Sequence, residues 1–240
     1  MKIVRLRTVA TAALLVAGIA TLAAAQQAQP IDLSRYEGAI QAFEAADREN
    51  MPPPGAIVVT GSSSIALWND AMPADLAPLT VIPRGFGGSA MADVLHFVDR
   101  VVIAYRPRAV VIYEGDNDTG RFFVPPATIA SELQQIIAAV HAELPDTRVY
   151  VMSVKPSLAR VAVWDKAQEA NALYREVAAA DERVHYIDVA TPFLKADGTV
   201  MDDIFIDDGL HLNEKGTRIW ASTIKAALMP LEAQHESTND

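Results

Sequence analysis

Five short apolar runs, rich in β-branched residues, constrain the fold of this chain more than any other feature. The runs are residues 56–60, 79–82, 109–113, 149–154 and 184–189. They lack a regular alternation of apolar and polar residues, which is typical of strands in a parallel sheet that helices cover on both faces. The stretches that follow them have helical periodicity, at residues 90–105, 126–144, 163–180 and about 213–228. The sequence therefore predicts an α/β three-layer domain built around a parallel sheet.

Two segments flank this predicted domain. The predicted boundaries are 26–54 for an N-terminal helix and proline-rich lead-in, 55–230 for the domain and 231–240 for a polar, mobile tail. Tyr36, Ile40 and Phe43 lie at helical spacing and predict an amphipathic helix within residues 31–48. The prolines at positions 52 to 54 end this helix, because a proline ring cannot continue it.

The first 25 residues are typical of a secretory signal peptide. Lys2, Arg5 and Arg7 give a basic start, and residues 9–24 are almost entirely small and apolar. Ala23-Ala24-Ala25 then matches the small-residue pattern of a cleavage site. We therefore expect an exported, periplasmic or secreted chain that keeps no membrane span after cleavage.

The charge of the chain excludes two classes of partner. It has 20 basic and 30 acidic residues, which give a formal net charge of −10, and it has no cysteine. Removal of the three basic residues in the signal segment brings the net charge of the mature chain to −13. Nucleic acids and anionic membranes are not expected as partners, because both need clustered Lys and Arg. The sequence leaves the oligomeric state open.

Four polar segments end or interrupt the apolar runs and carry the groups that nucleophilic acyl transfer needs. In chain order they are Gly61-Ser62-Ser63-Ser64, Gly87-Gly88-Ser89, Gly115-Asp116-Asn117-Asp118 and Asp208-Gly209-Leu210-His211. A hydroxyl nucleophile requires a base, the base requires an orienting carboxylate, and the developing oxyanion requires hydrogen-bond donors. Because ligands bind at the carboxyl ends of parallel strands, we expect these segments to lie close together.

Each segment also has a purely structural interpretation. Glycine and serine before a helix are typical of a turn with an N-cap, and Asp208 with His211 could simply close a loop. Catalysis is favoured because a carboxylate three residues before a histidine can hold one imidazole nitrogen while the other faces a hydroxyl. The glycines at 85–88 fit neither phosphate-binding pattern. Asp116 and Asp118 lack the later glutamate of a calcium loop, so no metal is expected.

In this order, the four segments resemble the Ser, Gly, Asn and His blocks of the SGNH hydrolases, the GDSL-type esterases, over about residues 56–228. The resemblance implies a flavodoxin-like sandwich with five parallel strands in the order 2-1-3-4-5, and an esterase without a cofactor. It implies Ser63 as nucleophile, His211 as base and Asp208 as its orienting partner. The backbone N–H groups of Ser63 and Gly88 and the side-chain amide of Asn117 would form the oxyanion hole.

One residue departs from the family pattern. Ser62 stands where the family usually has aspartate after the glycine. Ser62 and Ser64 therefore stay open as alternatives to Ser63, which is favoured because it is second after Gly61.

The sequence predicts short-chain carboxylic esters as substrates, including O-acetyl groups on carbohydrates, because no long apolar insertion is present to cover a lipid tunnel. Arg84, Arg160 and Trp164 lie in or near loops that could face the cleft. Arg84 and Trp164 are candidates for substrate binding, and surface packing is the alternative for all three. Three other functions stay open: a non-catalytic carbohydrate-binding module on the same fold, a phosphate- or nucleotide-binding protein using residues 85–89, and a lysophospholipase- or thioesterase-type acylhydrolase.

Overall fold

A computed structural model of the chain describes Ala28 and residues 30–236. The predicted signal peptide, residues 1–25, lies outside the described residues. Five strands form one all-parallel sheet in the order β2-β1-β3-β4-β5. The strands are β1 Ile57–Gly61, β2 Val81–Gly85, β3 Ala109–Tyr113, β4 Arg148–Met152 and β5 Val184–Ile187. The expected parallel sheet and its strand order are confirmed.

Seven α-helices flank the sheet within the described part of the chain. They are α1 Glu37–Glu49, α2 Ser63–Ala66, α3 Met72–Leu76, α4 Met91–Val101, α5 Pro126–Glu143, α6 Trp164–Ala179 and α7 Glu214–Glu232. One apolar cluster joins α1, α4, α5 and α6 to one face of the sheet, and a second joins α2, α3 and α7 to the other. β1 and β3 are buried along their whole length, as this covering of both faces requires. Over residues 30–236, no helix has the length and apolar character to cross a bilayer.

The lead-in helix expected within residues 31–48 forms as a 3₁₀ turn, Leu33–Tyr36, that runs directly into α1. Ile40 is fully buried in the core. Arg100 on α4 bridges two carboxylates of α1, Glu37 at 2.8 Å and Glu44 at 2.6 Å. The amphipathic helix is therefore confirmed, and it packs on the domain.

The C-terminal segment corrects the polar tail expected from residue 231. α7 continues two residues past its internal proline to Glu232, whose side chain is fully buried. The carboxylate accepts hydrogen bonds from Arg108 Nε at 3.1 Å, Arg148 Nε at 2.6 Å and Tyr150 Oη at 2.8 Å. Glu236 then contacts Arg108 and Thr80 beyond the helix. The polar residues of this segment therefore form an ion-pair network at the amino end of the sheet, up to Glu236.

Glu232→Ala is expected to lower the free energy of unfolding by about 3–5 kcal/mol, the range for removing one partner of a buried ion pair. Two arginines and a tyrosine would lose their common acceptor. Glu214→Ala on the same helix is the control, because the Glu214 side chain is 88% exposed and its loss should cost less than about 1 kcal/mol. Urea unfolding measures both. Equal effects would show that the Glu232 network contributes no more than a surface pair.

Candidate active site

The turn after β1 places the first candidate side chain. Gly61, the last residue of β1, has φ +143°, and a Cβ there would lie 2.2 Å from the carbonyl oxygen of Tyr113. Glycine is required because the backbones of β1 and β3 come this close. The chain then turns at Ser62, and Ser63 begins α2 in a half-buried position.

A loop before α7 brings a histidine to this serine. His211 Nε2 lies 2.8 Å from Ser63 Oγ, and His211 Nδ1 lies 2.5 Å from Asp208 Oδ2. The other carboxylate oxygen of Asp208 accepts from the backbone N–H groups of Leu210 and His211, both at 2.9 Å. Gly209, at φ +64°, permits the turn. The Asp208 side chain thus both shapes the loop and holds the imidazole.

The pKa of Asp208 is lowered to about 2. Desolvation opposes ionisation of this carboxyl, but the hydrogen bonds from His211 and from the N–H of Leu210 outweigh it. The carboxylate therefore stays charged over the whole range in which imidazoles titrate. It favours the tautomer that carries its proton on Nδ1 and leaves Nε2 free to accept from a hydroxyl.

The three consecutive serines have different environments. Ser62 is 2% exposed, and its N–H donates to the Tyr113 carbonyl at 3.2 Å. Ser64 lines a small cavity of about 60 Å³ on the α7 side. Within the described residues, Ser63 is the one of the three whose hydroxyl is hydrogen-bonded to His211. The geometry therefore favours Ser63 over both neighbours.

The glycine loop after β2 lies beside Ser63. A Cβ at Gly87 would lie 3.9 Å from Ser63 Cβ. Gly88 has φ +87°, which favours glycine, and a Cβ there would lie 2.9 Å from Tyr36 Oη and 3.4 Å from Arg121 Nη1. The lead-in residue Tyr36 and the exposed Arg121 therefore flank the loop at Gly88.

Asn117 follows β3 and faces the same loop. Its side chain is buried, with Nδ2 donating to the Ser89 carbonyl at 2.9 Å and Oδ1 accepting from Arg160 Nη2 at 2.7 Å. Because Ser89 follows Gly88, the amide nitrogen lies at the glycine loop. One N–H of the amide is used by Ser89, and within the described residues the second has no hydrogen-bond acceptor.

Asp118 joins the loops after β2 and β3. Its carboxylate accepts from the N–H groups of Met91 and Gly115, both at 2.9 Å. Burial raises the pKa of Asp118 to about 6, although these two hydrogen bonds oppose the shift. Ser89 Oγ also donates to the buried Glu114 at 2.5 Å. These contacts hold the two candidate donor loops side by side.

The structure does not bring Arg84 to this site. Arg84 is 8% exposed, and its guanidinium contacts Asp47 at 2.5 Å and Tyr105 at 2.7 Å. It therefore ties β2 to α1, which corrects the expected substrate contact. Trp164, the first residue of α6, is half-buried against the apolar cluster on the α1 side, in agreement with the packing alternative.

Two cations that the sequence did not assign to the site contact its candidate residues. Arg160, which the sequence placed near the cleft with surface packing as the alternative, binds Asn117. Lys155 is almost fully buried and donates to Asp116 Oδ2 at 3.2 Å and to the Leu210 carbonyl at 2.9 Å. Both follow β4, so their place at the carboxyl edge of the sheet is the sequence signal that could have identified them.

The arrangement can take a proton from a hydroxyl and can hold a negatively charged oxygen. His211 is placed to remove the Ser63 proton, while the Gly88 loop and Asn117 supply donors nearby. Across residues 30–236, no group of three or more His, Cys, Asp or Glu is arranged to hold a metal ion.

A family model described as the GDSL-like Lipase/Acylhydrolase family matches residues 58–219. Among curated proteins, the platelet-activating factor acetylhydrolase IB subunit alpha1 of Homo sapiens is 26% identical over 200 residues, which cover 80% of this chain and 82% of the relative.

Solved structures share the fold. A GDSL-like lipase from Bacteroides thetaiotaomicron has a TM-score of 0.66 at 20% identity, over 83% of this chain and 99% of that one. A carbohydrate esterase family 3 structure from Talaromyces cellulolyticus has a TM-score of 0.61 at 18% identity, over 75% and 99%. At these identities the likeness concerns the arrangement of the α/β layers alone.

Proposed function

The chain belongs to the GDSL-like lipase/acylhydrolase family, and from that premise we propose that it is a serine esterase acting on short-chain carboxylic esters through an acyl-enzyme. Family membership makes it a carboxylic ester hydrolase. One observation carries the finer proposal: a continuous relay runs from Ser63 through His211 to Asp208, with contacts of 2.8 Å and 2.5 Å.

In the proposed mechanism, His211 takes the proton of Ser63 while the hydroxyl oxygen attacks the ester carbonyl. The backbone N–H groups of Ser63 and Gly88 and the free N–H of Asn117 stabilise the oxyanion that forms. Protonated His211 then gives its proton to the leaving alcohol. Water repeats the sequence on the acyl-enzyme, and the Asp208 carboxylate stabilises the imidazolium in both halves.

Two side chains beside Gly88 support a short acyl group. Tyr36 and Arg121 limit the space there and make it polar. The leaving alcohol must lie against His211, whose loop leads into α7, whereas Tyr36 packs with the cluster on the opposite face of the sheet. The acyl group is therefore assigned to the Gly88 side, where a long alkyl chain would bury two polar groups without partners. The name acetylhydrolase of the curated relative agrees with an acetyl-sized group.

A series of p-nitrophenyl esters from acetate to decanoate tests this proposal. We expect kcat/KM to be highest between acetate and butyrate and to be at least about tenfold lower for octanoate, because burial of an unpaired polar group costs on the order of 1–3 kcal/mol. A preference of the wild-type enzyme for octanoate over acetate would contradict a short acyl group. Failure to hydrolyse any ester of the series would contradict esterase activity itself.

One cavity favours a second candidate, a long-chain acylhydrolase of lysophospholipase or thioesterase type. It has a volume of about 490 Å³ and lies between the segments that follow β3 and β4. Its lining includes Thr119, Phe123, Val124, Pro125, Ala162 and Val163. We favour short esters because Asp165, Lys166 and Glu169 also line this cavity and would meet an alkyl chain. The octanoate arm of the ester series distinguishes the two candidates.

We also propose that the enzyme is exported and acts on O-acetyl or similar groups of cell-envelope or extracellular carbohydrates. The pattern of residues 1–25 supports export. N-terminal sequencing of protein from a bacterial envelope fraction should begin at Gln26, and an intact N-terminus in the cytoplasm would contradict export. Acetate release from an acetylated oligosaccharide separates this activity from a non-catalytic carbohydrate-binding module, which would bind without turnover.

A further inference from the structure

We propose that Arg160 is a positioning residue for the oxyanion hole, and that it acts by fixing the orientation of the Asn117 side-chain amide. The inference rests on the proposed function, because the orientation of the amide matters only if Asn117 stabilises an oxyanion. Arg160 lies in the 3₁₀ segment Leu158–Val163, which connects β4 to α6.

The partners of Asn117 allow its amide a single orientation. Rotation of an amide by 180° exchanges its oxygen with its nitrogen, so the neighbouring donors and acceptors decide which way it points. A guanidinium only donates, and a backbone carbonyl only accepts. Arg160 Nη2 therefore fixes Oδ1 at 2.7 Å, and the Ser89 carbonyl fixes Nδ2 at 2.9 Å. Without Arg160, Oδ1 would be buried without a donor, which favours tilting of the amide away from the glycine loop.

A buried carboxylate holds Arg160 in place. Arg160 Nη1 donates to Asp116 Oδ1 at 2.5 Å and also to the Asp116 carbonyl, while Lys155 Nζ lies 3.2 Å from Oδ2. Burial opposes the charge on Asp116, but Lys155 and Arg160 outweigh it and keep the pKa of Asp116 below its usual value. The guanidinium is therefore clamped by a group that stays ionised at neutral pH.

Through Lys155, the Asp116 carboxylate is also linked to the loop that carries His211. Lys155 Nζ donates to the Leu210 carbonyl at 2.9 Å, one residue before His211. Asp116 thus connects Asn117, through Arg160, with the loop of the base, through Lys155. The network therefore holds Asn117 and the loop of His211 in place relative to each other. Stabilisation of the transition state requires that the oxyanion donors and the Ser63–His211 pair are correctly placed at the same time.

Gly120 has no side chain, and the Arg160 side chain occupies the space beside it. A Cβ at Gly120 would lie 2.4 Å from Arg160 Cδ and 2.6 Å from Nε. Gly120→Ala must therefore displace the Arg160 side chain without removing its charge. This substitution gives a second test of position that is independent of charge.

A double-mutant cycle between Arg160 and Asn117 tests the proposal. Asn117→Ala alone is expected to lower kcat for p-nitrophenyl acetate about a hundredfold or more, the effect of losing one oxyanion donor. Arg160→Met, which keeps the length of the stem, is expected to lower kcat about tenfold to a hundredfold with KM changed by less than about threefold. In the Asn117→Ala background, Arg160→Met should change kcat by less than about threefold, because no amide remains to be oriented.

Three further variants complete the experiment. Gly120→Ala should reproduce the loss of kcat, and Arg160→Lys should fall between Arg160→Met and the wild type, because an ammonium can pair with Asp116 but has no planar fork to hold Asn117 as well. Arg175→Met is the control, since it removes an arginine on α6 that is 53% exposed, and it should leave kcat unchanged. Thermal unfolding by circular dichroism verifies that each variant is folded.

The outcomes separate this inference from the proposed function. If Arg160→Met lowers kcat by the same factor in both backgrounds, Arg160 does not act through Asn117 and the positioning role is overturned. If Gly120→Ala displaces the Arg160 guanidinium but keeps the wild-type kcat, the positioning role is overturned as well. If Asn117→Ala is fully active, the oxyanion hole of the proposed function is wrong, and the positioning role of Arg160 is overturned with it.

Discussion

Ser63→Ala is expected to lower kcat for p-nitrophenyl acetate by about 10⁴-fold or more, with little change in the free energy of unfolding. Ser63 Oγ is the atom that would bond to the acyl carbon, and it lies 2.8 Å from the proposed base. Alanine leaves only water to attack, so the residual rate would come from the oxyanion donors and substrate binding. Within the described residues, the Ser63 hydroxyl has no hydrogen-bond partner other than His211, so the fold loses little.

Ser62→Ala and Ser64→Ala are the matched controls, and each should keep kcat within about threefold because neither hydroxyl is bonded to His211. A fluorophosphonate probe should label the wild-type chain on the peptide that contains Ser63 and should not label Ser63→Ala. Labelling that persists in Ser63→Ala would identify a neighbouring serine as the nucleophile. Absence of labelling in the wild type would favour the non-catalytic carbohydrate-binding module.

Most of the fold could be predicted from the sequence because its signals are local. The unbroken apolar run 109–113 forms β3 with the same boundaries, and the helix expected over 126–144 differs from α5 by one residue. A buried parallel strand needs only an apolar run, and a covering helix needs only one apolar face. The strand order was implied by the family resemblance, since no local pattern specifies which strands become neighbours.

Arg84 and Glu232 were misplaced, and the role of Arg160 was left open, because what these residues do depends on partners far away in the chain. Arg160 binds Asn117 across 43 residues, and Glu232 binds Arg148 across 84. A charged residue in a polar segment has the same sequence pattern whether it faces water or a buried ion pair. The glycine and Asp–His segments were predictable because backbone conformation and short spacing determine what those residues can do.

Asp208→Asn is expected to lower kcat by about 10⁴-fold, a loss comparable to that of Ser63→Ala. Asp208 Oδ2 accepts from His211 Nδ1 at 2.5 Å, which leaves Nε2 to accept from Ser63. Asparagine keeps one oxygen for the N–H groups of Leu210 and His211 but places an NH₂ group where Oδ2 was. The imidazole must then carry its proton on Nε2, so it donates to Ser63 and cannot take the hydroxyl proton.

Asp207→Asn is the matched control, because it removes the same charge from the adjacent, exposed position and should change kcat by less than about twofold. The pH profile gives a second check. The pKa of Asp208 is lowered to about 2, so its carboxylate is fully charged above about pH 4. It becomes protonated only as the pH falls towards its pKa. A fall in wild-type activity between about pH 7 and pH 4 must therefore come from a group other than Asp208. If Asp208→Asn and Asp207→Asn had equally small effects, the Asp208 carboxylate would shape the loop alone, and Ser63 with His211 would act as a dyad.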